Sequence, residues 1–478
     1  MTEQTVDAMQ SLLQRQREAF VAARPEPLDA RKDRIKRAIA LLVDHKDDFA
    51  KAMSADFGNR SMEQSLITDV AASVGFGHYC LKNLDHWAKP DKRKARFPMG
   101  LLGAGAEVRY EPKGVVGILS AWNFPIVLSL GPLMQVLAAG NRAMIKPSEY
   151  TERTSQLTAE LIDKAFAPEE VAVALGGPDI AAAFSGLPFD HILFTGSTAT
   201  GRKVMQAAAG NLTPVTLELG GKSPTIIGRS ADVSQAGDRI AMGKMMNAGQ
   251  ICLAPDYLFV PEETEGEVIE AIQNSAMRMY PSLIENDDYA SIINDAQFDR
   301  LSEVIEDARE KGARITQVNP ANEDFEASNT RKMPLRILQN VTEDMKVMQE
   351  EIFGPVLPVK TYRQIDEAID YVNANDRPLG LYYFGSDKEE RDAVLSRTIS
   401  GGVTVNDVMM HVSMDDLPFG GVGASGIGSY HGPEGFREFS HARSVFMQTG
   451  LDLAKFAGMT PPYNERTRKT VEMEIKKA

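Results

Sequence analysis

At 478 residues the chain is long enough for about two or three domains with substantial cores, and 43% hydrophobic with 25% charged residues is ordinary for a globular protein. A formal net charge of −14, with no basic cluster carrying interleaved aromatics, excludes nucleic acid and an acidic membrane surface as natural partners. Two cysteines, Cys80 and Cys252, and seven histidines without ligand-like spacing exclude a disulfide framework and a Cys/His metal site, and point to a reducing, cytoplasmic setting.

The opening residues, Met1-Thr2-Glu3-Gln4, include no apolar h-region, so no signal peptide is expected. Residues 1–90 read as helical. Ile35, Ala38, Ile39, Leu42, Phe49 and Met53 recur at three- and four-residue intervals, leaving Asp33, Arg34, Lys36 and Arg37 as a solvated face. From 89 to 112 the composition turns to Pro, Lys, Arg and Gly, an excursion from the main body in the form of an extended hairpin. Residues 115–140 carry no charge and are long enough to span a bilayer. Asn123, Pro125, Gly131 and Pro132 instead fit this stretch to a buried strand, loop and helix, so no membrane partner is expected.

From Gly114 onward strands and helices alternate. Strands are expected over 115–120, 142–146, 171–175, 191–195 and 214–219, with helices over 126–139, 151–166, 179–184 and 201–209. Short, continuously apolar strands separated by helices mark a parallel sheet covered on both faces, with ligands bound beyond the strands' carboxyl ends. A second α/β stretch runs from 220 to 420, with strands over 257–260, 355–359 and 402–405 and helices over 265–277 and 298–311. Residues 319–331 read as a surface loop, 417–426 are glycine-dense, and 451–478 read as a surface tail.

Several short motifs offer chemistry. Cys252 lies in a loop between Gly249 and Pro255, and Glu218 ends a strand at the pair Gly220-Gly221. An ionised thiol is a nucleophile, and a carboxylate can take a proton from a thiol or a water. Equally, a lone cysteine serves as a small buried apolar residue, and Glu-Leu-Gly-Gly serves as a plain strand end. Gly196-Ser197-Thr198-Ala199-Thr200-Gly201 opens a helix after a strand, where backbone N–H groups can approach an anion. Its spacing is not that of the dinucleotide fingerprint. Lys146-Pro147-Ser148-Glu149 follows another strand; Glu149 can accept ribose hydroxyls and repel a 2′-phosphate, or Ser148 and Glu149 can simply cap the next helix. In Trp122-Asn123-Phe124-Pro125, Asn123 either holds its loop together or donates to a ligand oxygen, since leaving it buried without a partner costs about 1–3 kcal/mol. Glu351 stands beside Phe353 and a Gly-Pro turn.

Taken together and in this order, these motifs resemble the aldehyde dehydrogenase superfamily over most of residues 30–445. The short N-terminus and Cys252-Leu253-Ala254-Pro255-Asp256-Tyr257 resemble the class 3 branch. Phe419-Gly420-Gly421-Val422-Gly423 and Tyr430-His431-Gly432-Pro433-Glu434-Gly435-Phe436 are similar to the bacterial coniferyl aldehyde dehydrogenases within it.

The resemblance implies an α/β fold with a Rossmann-type cofactor domain (1–90 and 111–219) and a catalytic domain (220–420). It also implies a small β element bridging subunits (91–110 and 421–450) and a surface tail (451–478). It implies NAD-dependent, or NADP-dependent, oxidation of an aldehyde to its acid without a metal. Cys252 is then the nucleophile, Asn123 and the Cys252 backbone N–H hold the oxyanion, and Glu218 activates the hydrolytic water. Cofactor contacts fall on Trp122, Lys146, Ser148, Glu149, Gly196, Ser197, Thr198, Gly201, Leu219, Glu351 and Phe353. A coniferyl-type aromatic aldehyde is the first substrate, a medium- or long-chain aliphatic aldehyde the second, and a homodimer the implied assembly. The competing readings are a CoA-acylating relative, against which Glu218 argues, a cysteine hydrolase, and a binding protein that has lost turnover on the same fold.

Overall fold

The computed structural model describes residues 5–97 and 99–475. The opening residues Met1–Gln4 and the last three of the expected tail lie outside the described residues.

Helices Val6–Ala22, Leu28–Asp44, Lys46–Phe57 and Ala72–Trp87 build the N-terminal part. Ile35, Ala38, Ile39, Leu42, Phe49 and Met53 are all buried, as their helical spacing predicts. The solvated face needs a correction at Arg34, which is buried. Its guanidinium donates to both carboxylate oxygens of Glu26 at 2.8 and 2.6 Å and to Glu170 at 2.8 Å, and Arg37 reaches the same Glu170 at 2.9 Å. Glu170 stands at the start of a sheet strand, so this side of the helix meets protein and the arginines bury as ion pairs.

Three sheets organise the rest. The first contains β1 (Asp91–Arg93), β2 (Gly105–Pro112) and, from the far end of the chain, β16 (Ser440–Met447). The second contains β3 (Val115–Leu119), β4 (Arg142–Lys146), β5 (Val171–Val173), β6 (His191–Thr195) and β7 (Val215–Glu218), with the two-residue β15 (Gly426–Ile427) at its edge. The third contains β8 (Pro224–Ile227), β9 (Tyr257–Pro261), β10 (Arg314–Gln317), β11 (Arg336–Gln339), β12 (Val356–Tyr362), β13 (Gly380–Phe384) and β14 (Gly402–Val405).

In the six-stranded sheet the order is β15-β7-β6-β3-β4-β5, and every pair from β7 to β5 is parallel. The chain moves outward from β3 through β4 to β5, then crosses back to β6 on the other side of β3. That reversal makes a crevice beyond the carboxyl ends of β3 and β6, where such sheets bind ligands. The seven-stranded sheet runs β10-β11-β12-β9-β8-β13-β14 and is parallel except at β10.

The segments 91–110 and 421–450, expected as one bridging element, are divided. β1, β2 and β16 do share a sheet, but β15 pairs antiparallel with β7, Gly426 opposite Glu218. The intervening helix Gly432–Glu438 packs inward, with Phe436 buried against Trp87 and Tyr110. The glycines explain the path: a Cβ on Gly426 would lie 2.3 Å from the Leu217 carbonyl, so only a bare backbone can approach β7 this closely. Over 451–475 the tail forms the short helix Leu453–Phe456 and the helix Glu465–Glu474, largely exposed, and Arg96 contacts Glu474. No helix among the described residues is long and apolar enough to cross a membrane, and 115–140 fold as strand, loop and the buried helix Val127–Ala138.

Candidate active site

A cavity of about 1200 Å³ opens at the crevice between β3 and β6 and reaches across to the third sheet. Trp122, Asn123, Gly196, Ser197, Thr198, Glu218, Leu219, Cys252, Glu351 and Phe353 all line it. Lys146, Ser148, Glu149 and Gly201 do not. Ser148 Oγ accepts from the Tyr150 N–H at 3.2 Å, the capping arrangement, while the Lys146 ammonium lies 3.7 Å from Glu149 Oε2. Gly201 sits one layer back, where a Cβ would come within 2.6 Å of the Leu219 side chain; its absence lets the helix Thr198–Ala209 pack on Leu219.

The loop that presents Cys252 is bent by three successive residues in the left-handed region, Asn247 (φ 50°), Ala248 (φ 51°) and Gly249 (φ 73°). For the two non-glycines this conformation costs energy, and it persists only where the surroundings over-determine it. They do so through buried amides. Gln250 donates from Nε2 to the carbonyls of Asn247 (2.9 Å) and Ser291 (3.1 Å) and accepts the Ile293 N–H at 3.0 Å. The Gln250 carbonyl in turn accepts from Asn123 Nδ2 at 3.1 Å and from Asn247 Nδ2 at 3.3 Å. The Asn123 carbonyl accepts from Asn247 at 3.2 Å and from Arg60 at 2.9 Å. Arg60 is held by a fully buried ion pair with Asp69 at 2.6 Å, and Asp69 Oδ1 also takes the N–H groups of Ile126 and Val127. Asn123 therefore does hold its loop together, and one of its two amide protons is committed to Gln250.

Two carboxylates face the thiol. Glu218, at the carboxyl end of β7, is buried and neither of its oxygens has a hydrogen-bond partner. Burial, with a smaller contribution from the Glu438 charge, pushes its carboxyl well above the ordinary range. Glu351 accepts the Gly221 N–H but leaves Oε1 unpartnered; burial and then Asp256 push it up to about 8. The Cys252 thiol is half-buried, and burial, followed by Glu351 and Glu218, pushes it up to about 12. A resting thiol in this setting is protonated and needs a base.

The rest of the cavity lining suits a dinucleotide. Ser197 Oγ accepts the Thr200 N–H at 3.3 Å and caps the helix Thr198–Ala209, whose first turn faces the cavity. Arg202 and Arg377 line the same space, two cations that sequence reading passed over. Phe353, itself at φ 50°, packs edge-on against Trp122 at 5.3 Å. The unpartnered Glu351 Oε1 is an acceptor awaiting a hydroxyl. Among the described residues no group of three or more His, Cys, Asp or Glu is placed to hold a metal.

Sequence reading gave Arg60, Asp69, Asn247 and Gln250 no role of their own, yet they shape the site without touching the cavity, apart from the carbonyls they position. Asn247 and Gln250 stand in the run Asn247-Ala248-Gly249-Gln250-Ile251-Cys252 that leads to the thiol, whereas polarity alone marked Arg60 and Asp69.

A parallel sheet with its crevice at the strand reversal, a cysteine on a strained loop and a buried carboxylate facing it define an enzyme that works through a covalent thiol adduct beside a nucleotide. The aldehyde dehydrogenase family model matches residues 1–445, and the chain belongs to that family of NAD(P)-dependent enzymes. It is 51% identical over 455 residues to the coniferyl aldehyde dehydrogenase of Pseudomonas sp. strain HR199, covering 95% of this chain and 94% of the relative. It is 39% identical over 441 residues to mouse aldehyde dehydrogenase family 3 member A2, covering 92% and 88%. Among solved structures, the substrate-bound state of Staphylococcus aureus AldH superposes with a TM-score of 0.90 at 33% identity, covering 98% of this chain and 99% of that one.

Proposed function

We propose that this enzyme oxidises a coniferyl-type aromatic aldehyde to its carboxylic acid, with Cys252 as nucleophile, Glu218 as general base and NAD as the first cofactor. The observation that carries the assignment is the buried, unpartnered Glu218 carboxylate on the same cavity as Cys252. Such a group is costly to keep unless a proton is to be moved there.

Cys252 Sγ attacks the aldehyde carbon, and its thiol proton passes to Glu218 and from there to solvent, so that the carboxylate is free again before hydrolysis. The oxyanion is met by the second N–H of Asn123 and the Cys252 backbone N–H. A bound nicotinamide supplies the acceptor for the hydride that the adduct releases as it collapses to a Cys252 thioester. Glu218 then takes a proton from water as the water oxygen attacks the thioester carbon. Collapse of that adduct breaks the C–S bond and expels the Cys252 sulfur, leaving the carboxylic acid. In this reading Glu351 would hold the ribose next to the nicotinamide, Trp122 and Phe353 the ring itself, and Gly196, Ser197 and Thr198 the pyrophosphate. Glu149, at the carboxyl end of β4 and outside the cavity lining, is the proposed partner of the adenine-side ribose, where its charge would disfavour a 2′-phosphate, with Lys146 and Ser148 holding its turn.

The likeness to a coniferyl aldehyde dehydrogenase supports an aromatic substrate, and a buried aromatic cluster lies outside the cavity lining near the thiol and its base. Phe419 stacks on His431 at 5.0 Å, His431 meets Phe76 and Tyr430 at 4.5 Å each, and Tyr430 lies within the electrostatic reach of both Glu218 and Cys252. Assembly as a homodimer is supported by β16, an edge strand that among the described residues pairs with β2 alone and carries exposed Phe446 and Met447. Two free cysteines accord with the cytoplasm.

The test is reduction of NAD by purified protein with coniferyl aldehyde, beside Cys252→Ala, with hexanal and NADP as parallel arms. Turnover that vanishes in the variant, with kcat/KM highest for the aromatic aldehyde and NAD, is the expected result. A higher value for hexanal would move the substrate class to aliphatic aldehydes. Absence of reduction with any pair, in folded protein, would sink the enzymatic role and favour a binding protein.

A further inference from the structure

Behind Glu218 runs a chain of hydrogen bonds that the reaction as described does not use. Lys113 Nζ lies 3.0 Å from His191 Nδ1. His191 Nε2 lies 2.7 Å from Thr216 Oγ1, and Thr216 donates its hydroxyl proton to Glu438 Oε1 at 2.6 Å. The directions are mutually consistent. A lysine ammonium has only donors, so His191 Nδ1 accepts; its Nε2 then carries the proton and donates to the hydroxyl, which donates onward. His191 is buried, and burial together with Lys113 holds its imidazole well below the ordinary range, in the neutral form this chain requires. The row therefore links an ammonium to a carboxylate through two neutral groups, and it fixes where that carboxylate sits.

The position matters because of β7. Thr216 and Glu218 are two residues apart on one strand, so their side chains leave on the same face. The neighbouring backbone opposite that face is glycine: a Cβ on Gly428 would come 2.7 Å from Glu438 Oε1 and 3.0 Å from Thr216 Cγ2. With no side chain there, the Glu438 carboxylate reaches the Thr216 hydroxyl and brings its charge to bear on Glu218. The other ionisable groups felt around Glu218 are the Cys252 thiol and the Tyr430 phenol, while Glu438 is flanked by Lys113 and His191.

We propose that Glu438 is a positioning residue for thioester hydrolysis, a second carboxylate fixed behind Glu218 by the Thr216–His191–Lys113 chain so that Glu218 is a stronger base toward the attacking water. The proposal rests on the reading of Glu218 as general base. In a site without a second negative charge, a proton taken from water would be held less firmly by Glu218.

The experiment follows hydrolysis of p-nitrophenyl acetate, which acylates Cys252 without any nucleotide. The nitrophenolate burst reports acylation and the later steady rate reports deacylation. Glu438→Gln keeps an acceptor for the Thr216 hydroxyl and removes only the charge. Its acid limb for deacylation is expected to move down by roughly one pH unit, with a lower plateau and an unchanged burst amplitude. Thr216→Val, which leaves the charge but frees it from its anchor, is expected to shift the limb the same way by less. Glu218→Gln run in parallel separates the two ideas. If it abolishes deacylation while both other variants titrate like wild type, the role of Glu438 is overturned. If it deacylates normally, the base assignment itself falls. Should Glu438→Gln fail to fold, the Thr216→Val profile alone decides: an unmoved limb refutes the proposal.

Discussion

The Glu351 carboxylate occupies the space where a side chain on Gly220 would begin: a Cβ built there would lie 2.1 Å from Oε2 and 2.4 Å from Oε1. The glycine after β7 is thus what allows a carboxylate from the loop before β12 to close over the crevice of the second sheet. Gly220→Ala is expected to displace Glu351 and lower kcat/KM for NAD roughly a hundredfold, the scale of a one-ångström misplacement. Cofactor titration by fluorescence quenching, beside steady-state kinetics, checks it; an unchanged dissociation constant would count against Glu351 as a nucleotide ligand.

The Cys252 thiol, pushed up to about 12, gives the free enzyme an unusual alkylation profile. Inactivation by iodoacetamide should rise about tenfold per pH unit from pH 6 through 10, without the levelling that an ordinary thiol begins at about 8.5 and completes about 1.5 units higher. Glu351 is pushed up to about 8, so it is neutral below that pH and charged above it. Glu351→Gln should therefore match wild type at pH 7 and react faster above pH 8, where the wild-type carboxylate has ionised and opposes the thiolate. Coincident profiles at pH 9 would refute the coupling.

The fully buried Arg60–Asp69 pair anchors the loop that carries Asn123. Asp69→Asn leaves the guanidinium buried without its counter-charge, a loss of about 3–5 kcal/mol for a pair broken on one side. Urea unfolding measures the stability. Since Arg60 also holds the Asn123 carbonyl, kcat should fall even at temperatures where the variant is fully folded. Wild-type kcat in a destabilised variant would separate the pair from the site.

Glu170 offers a pH prediction of its own. Burial raises its carboxyl, but hydrogen bonds and charge from Arg37 and Arg34 outweigh that and hold it down at about 2. A carboxyl depressed on folding stabilises the protein above its unfolded value and loses that contribution as protons bind the folded state. Stability from this group should be complete above pH 4.5 and drain away between 4.5 and 2. Thermal melts of Glu170→Gln should show a lower midpoint at pH 6 and a flatter decline across that interval than wild type.

Much of the fold is legible where the signal is local. β4 and β6 span the expected 142–146 and 191–195, because a short apolar run preceded by Asn141 or Asp190 and followed by Pro147 or Gly196 leaves the chain few alternatives. β8 was missed, since Pro224 and Thr225 interrupt its apolar character, although in the sheet both are buried. The cavity residues were legible as motifs in register, and the structure brings ten of the fourteen onto one cavity. What escaped is long-range. Helical periodicity tells which way Arg34 points but not that Glu170 stands there, more than a hundred residues on. The amides that bend the Cys252 loop pair Asn123 with Gln250 and Gln250 with Ser291, and nothing adjacent to any of them announces its partner.

Glu218 closes one parallel sheet, whereas Cys252 hangs from a loop leading into another, so the base and the nucleophile are held by separate hydrogen-bond ladders. Each sheet can keep its own hydrogen-bond ladder while the two slide by a fraction of an ångström, which circular dichroism would not register. Warming should therefore silence the enzyme some degrees before its ellipticity changes, and a crosslink across the two sheets should bring the two temperatures together.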